Sequence, residues 1–523
     1  MEGGDIFIQD FINDLQESPE SQVQKCFRDS CILITGGTGF IGKVLIEKLL
    51  RSCYNLNTIY VVTRPLNGQN PNERVKEIFI SPLFDRMKVE NPGYRNQVQA
   101  ISGDCSQPGL GLREADLKVI KSKINVVIHL ASTAVSSFHE FSGFRSAVCT
   151  NVRATRDLIA LSKRFQNLKA FVHVSSVFIN PSVLDVHEQF YDSSIPPATP
   201  IYMAETLPDH VLDKVAQGLI SGWPDVVTFT KAMSEQIIQS AGRDLPVCVV
   251  RPGFVLGTAH EPIAGWTNHL NNLTGCALGS GLGLVRIYHG PSSVNAEIVP
   301  VDMLVNLILV ACWDLIGNRT DVINEEVPRN MVNTMIYNYV SSNYKPCTWN
   351  QLGEKFFKNE KNVSSPNSFW VPFYYVTGNL FLYRIISFCL HTIPGNIVDY
   401  FYIRFLGKEP RLNEFYKRVH VASNHLNSYQ QMRAKYYNCN VNNLMNKLSA
   451  RDRIMFGFDM SSLSWDDYFD KYLRGLRVYL MGNRLHMSGT NNNKTLNRLI
   501  TIHYNLIISI CFIIIVYTLF FYL

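Results

Sequence analysis

The chain has 523 residues, which at ~150 residues per domain points to about two to four folding units. Its 49 Lys and Arg against 43 Asp and Glu leave a net charge of +6 with no dense basic stripe, which excludes a nucleic-acid surface and an acidic tail protein. Charged residues are only 18% and hydrophobic ones 46%, so intrinsic disorder is excluded and part of the apolar surplus is expected to face lipid or a lipid-like ligand.

The N-terminal stretch MEGGDIFIQDFINDLQESPE carries acids and no long apolar run, unlike a secretory signal. The apolar run Cys31 to Thr35 then predicts a strand, GGTGFIG (Gly36 to Gly42) a turn, and KVLIEKLLRSC a helix. Further buried strands are predicted at Thr58 to Thr63, Ile124 to Ala131, Ala170 to Ser176 and Val247 to Pro252, with a helical stretch at Thr150 to Phe165 between two of them. Apolar strands alternating with helices predict an α/β fold, a Rossmann-like doubly wound parallel sheet.

The glycine turn carries the first chemical inference. Gly37, Gly39 and Gly42 satisfy G-x-G-x-x-G, and Gly36, Gly39 and Gly42 the G-x-x-G-x-x-G variant. Placed between a strand and a helix, Gly36, Gly37, Thr38, Gly39, Phe40, Ile41 and Gly42 are the expected cradle for a dinucleotide pyrophosphate at a helix N-terminus. An NAD site usually holds the ribose 2′-hydroxyl with an acid about 20 residues further on. Here the second strand ends in Thr63, Arg64 and Pro65, and a guanidinium suits a 2′-phosphate, so NADPH is the expected cofactor. Asp104, in SGDC after another apolar stretch, is the expected partner of the adenine.

After about Lys345 aromatics become dense. The uncharged run Phe369 to Tyr383, interrupted by Pro372 and Gly378, predicts a core or membrane-surface helix. The rest, to about Gly482, reads as mainly helical. The twelve cysteines are dispersed without a Cys-x-x-Cys pair, which predicts free buried thiols in a reducing compartment and no metal site. Residues 499–523 lack formal charge and as a helix would reach about 37 Å, enough for the ~30 Å hydrocarbon slab. Lys494 and Arg498 precede that run, which predicts a tail anchor with the preceding domain in the cytosol.

The blocks TGGTGFIG, TRPLNGQNPNERVKEIFISPLFDRMK, FVHVSS, TFTKAMSE, VVRPGFVLG, EPIAGWTNHLNNLTG and VPVDMLVN occur in the order they take in the fatty acyl-CoA reductases. The chain resembles that family, an extended branch of the short-chain dehydrogenase/reductases, over roughly residues 25–482. Its later part, HTIPGNIVDYFYIRFLGKEPRLNEFYKRVH through FGFDMSSLSWDDYFDKYLRGLRVYL, is similar to the family's second, male-sterility domain. The resemblance implies an N-terminal segment 1–29, an NADP-binding reductase domain 30–345, a helical domain 346–485, a polar linker 486–498 and a transmembrane tail anchor 499–523, with residence on the peroxisomal or endoplasmic reticulum membrane. It implies NADPH-dependent reduction of a long-chain fatty acyl-CoA to a primary alcohol and CoA through the aldehyde.

In that superfamily a Ser or Thr holds the carbonyl oxygen, a Tyr gives the proton, and a Lys four residues on lowers the Tyr pKa and holds the ribose. Carried over, the hydroxyl is Ser176 and the lysine Lys231, both catalytic. The tyrosine position holds Val227, which has no proton to give, and losing a general acid costs about 10² to 10⁴ in rate. Three readings stay open: a slow enzyme using another group or a Lys231-held water, a membrane-anchored NADPH- and acyl-binding relative without turnover, and a sequence difference. Tyr191 is a candidate substitute donor. Gly253 and Ala154 replace the family's usual Ser and Gly. A sugar epimerase or steroid dehydrogenase would lack the aromatic second domain.

Overall fold

The structure, a computed structural model, describes residues 20–481 except 67, 134–142, 271–272, 292, 325–333, 361–374, 408 and 410–411, and beyond them only residues 498, 501, 502 and 505. Seven parallel strands form the central sheet: β1 (Cys31–Thr35), β2 (Thr58–Thr63), β3 (Val98–Ser102), β4 (Val126–His129), β5 (Ala170–Val174), β6 (Val247–Pro252) and β7 (Met335–Tyr339). Their order is β7-β6-β5-β4-β1-β2-β3. Chain direction along the sheet therefore reverses between β1 and β4, the switch point at which doubly wound sheets bind ligands.

The strands are buried because both faces are covered, so Ile32, Leu33 and Ile34 all lie inside although they point to alternate faces. One face packs Leu33, Val127, Phe171 and Val249 into a common cluster with Leu158 and Ile238. The helix after the glycine turn, α1 (Phe40–Ser52), buries even Glu47, Lys48 and Arg51. Those charges are tolerated through pairing: Arg51 meets Glu47 at 2.7 Å and Glu261 at 2.6 Å, and Lys48 meets Glu261 at 2.7 Å. Asp302 fixes the Glu261 loop by accepting the amides of Ala259 (2.8 Å), His260 (2.8 Å) and Glu261 (3.0 Å).

The chain forms two compact units that interleave. One comprises residues 1–263, 297–346 and 432–463, the other 264–296, 347–431 and 464–523. The chain passes between the units several times, one passage falling at 346/347. Residues 432–463 belong with the sheet for physical reasons: Lys435–Tyr436 pairs in parallel with Asp185–Val186, and Tyr339 Oη donates to the Phe458 carbonyl at 2.7 Å. Asp452 accepts the Ser21 hydroxyl and the amides of Gln22 and Val23, tying the N-terminal segment to the same unit.

Among the described residues the second unit is mainly helical with one short strand pair, Ile287–His289 with Tyr375–Thr377. The expectation of a helix through Phe369 to Tyr383 is corrected over its described part. Tyr375–Thr377 is a strand, and the helix starts only at Leu380, where the Asn379 side chain caps the amides of Phe381 and Leu382. The tail from 499 onward lies essentially outside the described residues. All eleven described cysteines are free, with only Cys389 and Cys439 exposed.

Candidate active site

Every expected site residue except Lys231 follows the carboxyl end of a sheet strand. Gly36, directly after β1, has φ +75°, and a Cβ there would sit 2.7 Å from the Ala131 nitrogen. A Cβ on Gly42 would sit 2.4 Å from the Gly36 carbonyl oxygen. The turn therefore needs glycine at both points, for backbone conformation at the first and for helix-to-turn contact at the second. The Gly39 amide closes the turn on the Gly36 carbonyl at 3.0 Å, and Gly39 caps α1 without any side-chain acceptor. Gly37 packs toward Val61, while Thr38, Phe40 and Ile41 are half-buried along the same turn. A bare backbone before a 13-residue helix fits a pyrophosphate, whose charge the helix N-terminus favours.

Arg64 follows β2 with its side chain 54% exposed, 3.6 Å from the Asp104 carboxylate. Asp104 follows β3. Partial burial works to raise its pKa, but the Ser106 amide and hydroxyl and the Arg64 charge outweigh this and hold it below the usual carboxylate value. The sequence reading missed Arg74. It lies on α2 (Pro71–Ile78) and donates to Thr63 Oγ1 at 2.8 Å and to the Arg64 carbonyl at 2.6 Å. Burial and the neighbouring Arg64 charge lower its pKa, so two guanidinium groups share the end of β2. The signal was available in the capping box of Asn70 and Glu73, which starts a helix there and sets Arg74 in its first turns.

Ser176 follows β5 in extended conformation, half-buried, its hydroxyl accepting the Phe178 amide at 3.3 Å. Beyond α3 (Ala154–Ser162), Lys231 lies on α4 (Val226–Ala241), started by Asp225, which accepts the Thr228 amide at 2.7 Å. Its Nζ donates to the Val174 carbonyl at 2.8 Å, bringing the ammonium to the strand end that carries Ser176. Burial lowers the Lys231 pKa to about 8, with Glu235 opposing. Val227 sits half-buried one helical turn before Lys231.

Asn151, another residue the sequence reading gave no role, braces this corner. Its Oδ1 accepts the Thr133 amide at 3.0 Å and its Nδ2 donates to Thr230 Oγ1 at 2.8 Å, linking the loop after β4 to α4 beside Lys231. Tyr191 is spoken for: its hydroxyl accepts the His187 amide at 2.7 Å and donates to the Asp185 carbonyl at 3.3 Å. Arg251 is fully buried on Glu235 at 2.6 Å. His129 and His173 adjoin on β4 and β5. Burial, then neighbouring charge, lowers His129 to about 3 and pushes His173 well below the usual value, so both are neutral. Among the described residues no His, Cys, Asp and Glu group could hold a metal.

A sheet of this order, a glycine cradle at its switch point and a lysine brought to the end of β5 define a nicotinamide-dinucleotide-binding oxidoreductase. Residues 34–308 match an NAD-binding family described as male sterility protein, and residues 390–483 match a second family with the same description. The chain is 35% identical over 470 residues to fatty acyl-CoA reductase wat of Drosophila melanogaster, covering 90% of this chain and 87% of that one. It is 34% identical over 474 residues to human fatty acyl-CoA reductase 1, covering 90% and 88%. Among solved structures, the reductase domain of a Mycobacterium tuberculosis non-ribosomal peptide synthetase shares the fold, with a TM-score of 0.54 at 17% identity over 88% of this chain and 96% of that one. The chain belongs to the fatty acyl-CoA reductase family.

Proposed function

We propose that this chain reduces a long-chain fatty acyl-CoA to the primary alcohol and free CoA, with NADPH as the reductant. The observation that carries this reading is Lys231, held by the Val174 carbonyl at the strand end bearing Ser176. In balance, the thioester takes one hydride and one proton and loses CoA as the thiol, and the aldehyde takes a second hydride and proton. The nicotinamide supplies hydride when bound. Ser176 would hold the carbonyl oxygen through its hydroxyl, and such a donor acts most strongly on the charge that develops there. Lys231 would hold the ribose hydroxyls and, with a pKa of about 8, supply a proton through water at neutral pH. Gly36, Gly37, Thr38, Gly39, Phe40, Ile41 and Gly42 would hold the pyrophosphate, and Asp104 the adenine side.

Incubating the protein in detergent with acyl-CoAs of several lengths and NADPH, and assaying fatty alcohol, tests the reading. NADPH binding without alcohol or aldehyde from any of them would favour the reading as a binding relative.

The preference for NADPH over NADH rests on Arg64, joined by Arg74, and on the absence of an acid at residues 63–65. A carboxylate there repels a 2′-phosphate and suits a 2′-hydroxyl. In Arg64→Glu we expect NADPH affinity to fall by about 10-fold or more, the size of one charge-assisted contact, while NADH affinity changes little. Equal binding of both cofactors by the unaltered protein would refute the preference.

The uncharged run 499–523 supports a tail anchor on the peroxisomal or endoplasmic reticulum membrane with the catalytic unit in the cytosol. Deleting it should greatly reduce flotation of the protein with membranes. A truncated chain that floats as fully as the intact one would show that the tail is not the anchor.

A further inference from the structure

In the second unit, α5 (Leu380–Ser387) runs through a π-turn at Phe388–Thr392 into α6 (Ile393–Leu406), a helical stretch of inverted amphipathicity. Its buried stripe repeats every four residues and is polar or small: Tyr383, Ser387, His391, Gly395 and Asp399. Tyr383, His391 and Asp399 each have a partner inward. The Arg286 amide donates to His391, His391 stacks on Tyr416 at 4.7 Å, and Tyr383 Oη lies 2.7 Å from His420 Nδ1. Asp399 accepts the amides of Leu412 (3.0 Å) and Asn413 (2.8 Å) at the start of α7 (Leu412–Gln430).

The opposite surface is apolar and open. Twelve of the twenty-three exposed large hydrophobic side chains among the described residues lie between Leu380 and Phe405, Phe381 (73% exposed) and Phe405 (72%) foremost. A helix on a water-soluble surface turns its apolar stripe to the core and its polar face outward. This one does the reverse.

We infer that the outward face of α5 and α6 lies in the plane of a membrane, against acyl chains and anionic headgroups, as a second contact beside the tail. The inference rests on the reading of the chain as membrane-associated. Three observations select a lipid surface as the occupant. Both exposed charges on the helix are arginines, Arg384 and Arg404, about 30 Å apart along it, while its one carboxylate, Asp399, is turned inward. Long arginine stems let both heads reach the headgroup layer while the helix body sinks. Residues 380–420 hold six basic and three acidic residues, so half of the chain's net charge of +6 falls in this short span, as attraction to anionic lipid requires.

The stretch is also long enough to cross a bilayer, at 26 residues, but its geometry opposes that. Its neighbour α7 carries exposed Glu414, Lys417 and Arg418, which cannot enter hydrocarbon beside it. An in-plane helix satisfies both faces.

Cys389, exposed within the π-turn, and Cys439, exposed in the other unit, provide a probe and its control. The full-length chain, labelled with bimane at one of the two with the other, Cys511 and the half-buried Cys26, Cys105 and Cys276 changed to Ser, is placed on vesicles of phosphatidylcholine and phosphatidylserine containing doxyl-labelled lipid. We expect bimane at Cys389 to lose most of its fluorescence to shallow doxyl groups and bimane at Cys439 to lose little. Replacing both Arg384 and Arg404 by Gln should weaken that quenching on anionic vesicles. In Phe381→Glu/Phe405→Glu, which alters only outward side chains, Cys389 quenching should vanish while flotation through the tail and alcohol formation in detergent persist. Cys389 quenched no more than Cys439, or shielded from water-soluble thiol reagents yet unquenched by lipid, overturns the inference, the latter by showing a protein cover from the tail or a second copy. Flotation after tail deletion reports separately on the anchor.

Discussion

Lys231→Met should abolish most turnover without weakening the fold. The substitution keeps the apolar stem on α4 and removes the ammonium that donates to the Val174 carbonyl. Both assigned roles of that group, holding the ribose and supplying protons, disappear together. We expect kcat to fall by about 10² to 10⁴, the range for losing acid-base assistance, and the KM for NADPH to rise. Stability should move the other way. The folded-state pKa of about 8 lies below the ordinary 10.5, so the folded protein binds fewer protons between those values and stability rises with pH through that window. Below pH 8 the ammonium is charged in both states and its burial costs the folded one. Methionine carries no such cost, so the melting temperature at neutral pH should hold or increase. A marked loss of melting temperature would mean that Lys231 is there for structure, and a variant with unchanged kcat would remove it from the chemistry.

Much of this arrangement was legible before the fold was seen. Thr58 to Thr63 and Val247 to Pro252 are mainly apolar runs and form strands with those limits, because strands covered on both faces bury nearly every side chain, and the one charge among them, Arg251, is paired with Glu235. Strand β3 gives a weaker signal. VQAIS at the sheet edge leaves Gln99 exposed, and its mixed pattern resembles a turn. The glycine turn was readable because its demand is steric and local. Arg74 was not, since it reaches the end of β2 only through the placement of α2. The interleaving of the two units was hidden for the same reason. A two-residue strand at Lys435–Tyr436 and the three groups gathered by Asp452 draw residues 432–463 back to the sheet, and neither carries a periodic pattern. In α5 and α6 the apolar run was visible, but which face it turned outward depended on Tyr383, His391 and Asp399 finding partners elsewhere in the unit.

Val227→Tyr should give the largest gain available to a single substitution, about 10² to 10⁴ in alcohol formation, the value of restoring one general acid. Asp225 caps α4 and thereby fixes position 227 one turn before Lys231, so a phenol there would lie on the helix face that carries the ammonium. Val227 is half-buried, and a ring replacing it has a way toward the surface without displacing a packed core. Without the phenol the two reductions should be affected unequally. CoA leaves as a thiolate, which is stable near neutral pH and takes its proton from water. The aldehyde becomes an alkoxide, which needs an acid at hand. The unaltered protein should therefore accumulate aldehyde relative to alcohol, and its alcohol step should slow as pH rises through about 8, where Lys231 loses the proton it would pass through water. In Val227→Tyr the aldehyde should disappear, and the pH dependence should follow the coupled phenol and ammonium instead of the lysine alone. A variant no faster than the unaltered protein would mean that another group already protonates the alkoxide, with Tyr191 a poor candidate because its hydroxyl holds the His187 amide. Inactivity of both proteins with NADPH binding intact would leave a cofactor- and acyl-binding protein built on a reductase frame.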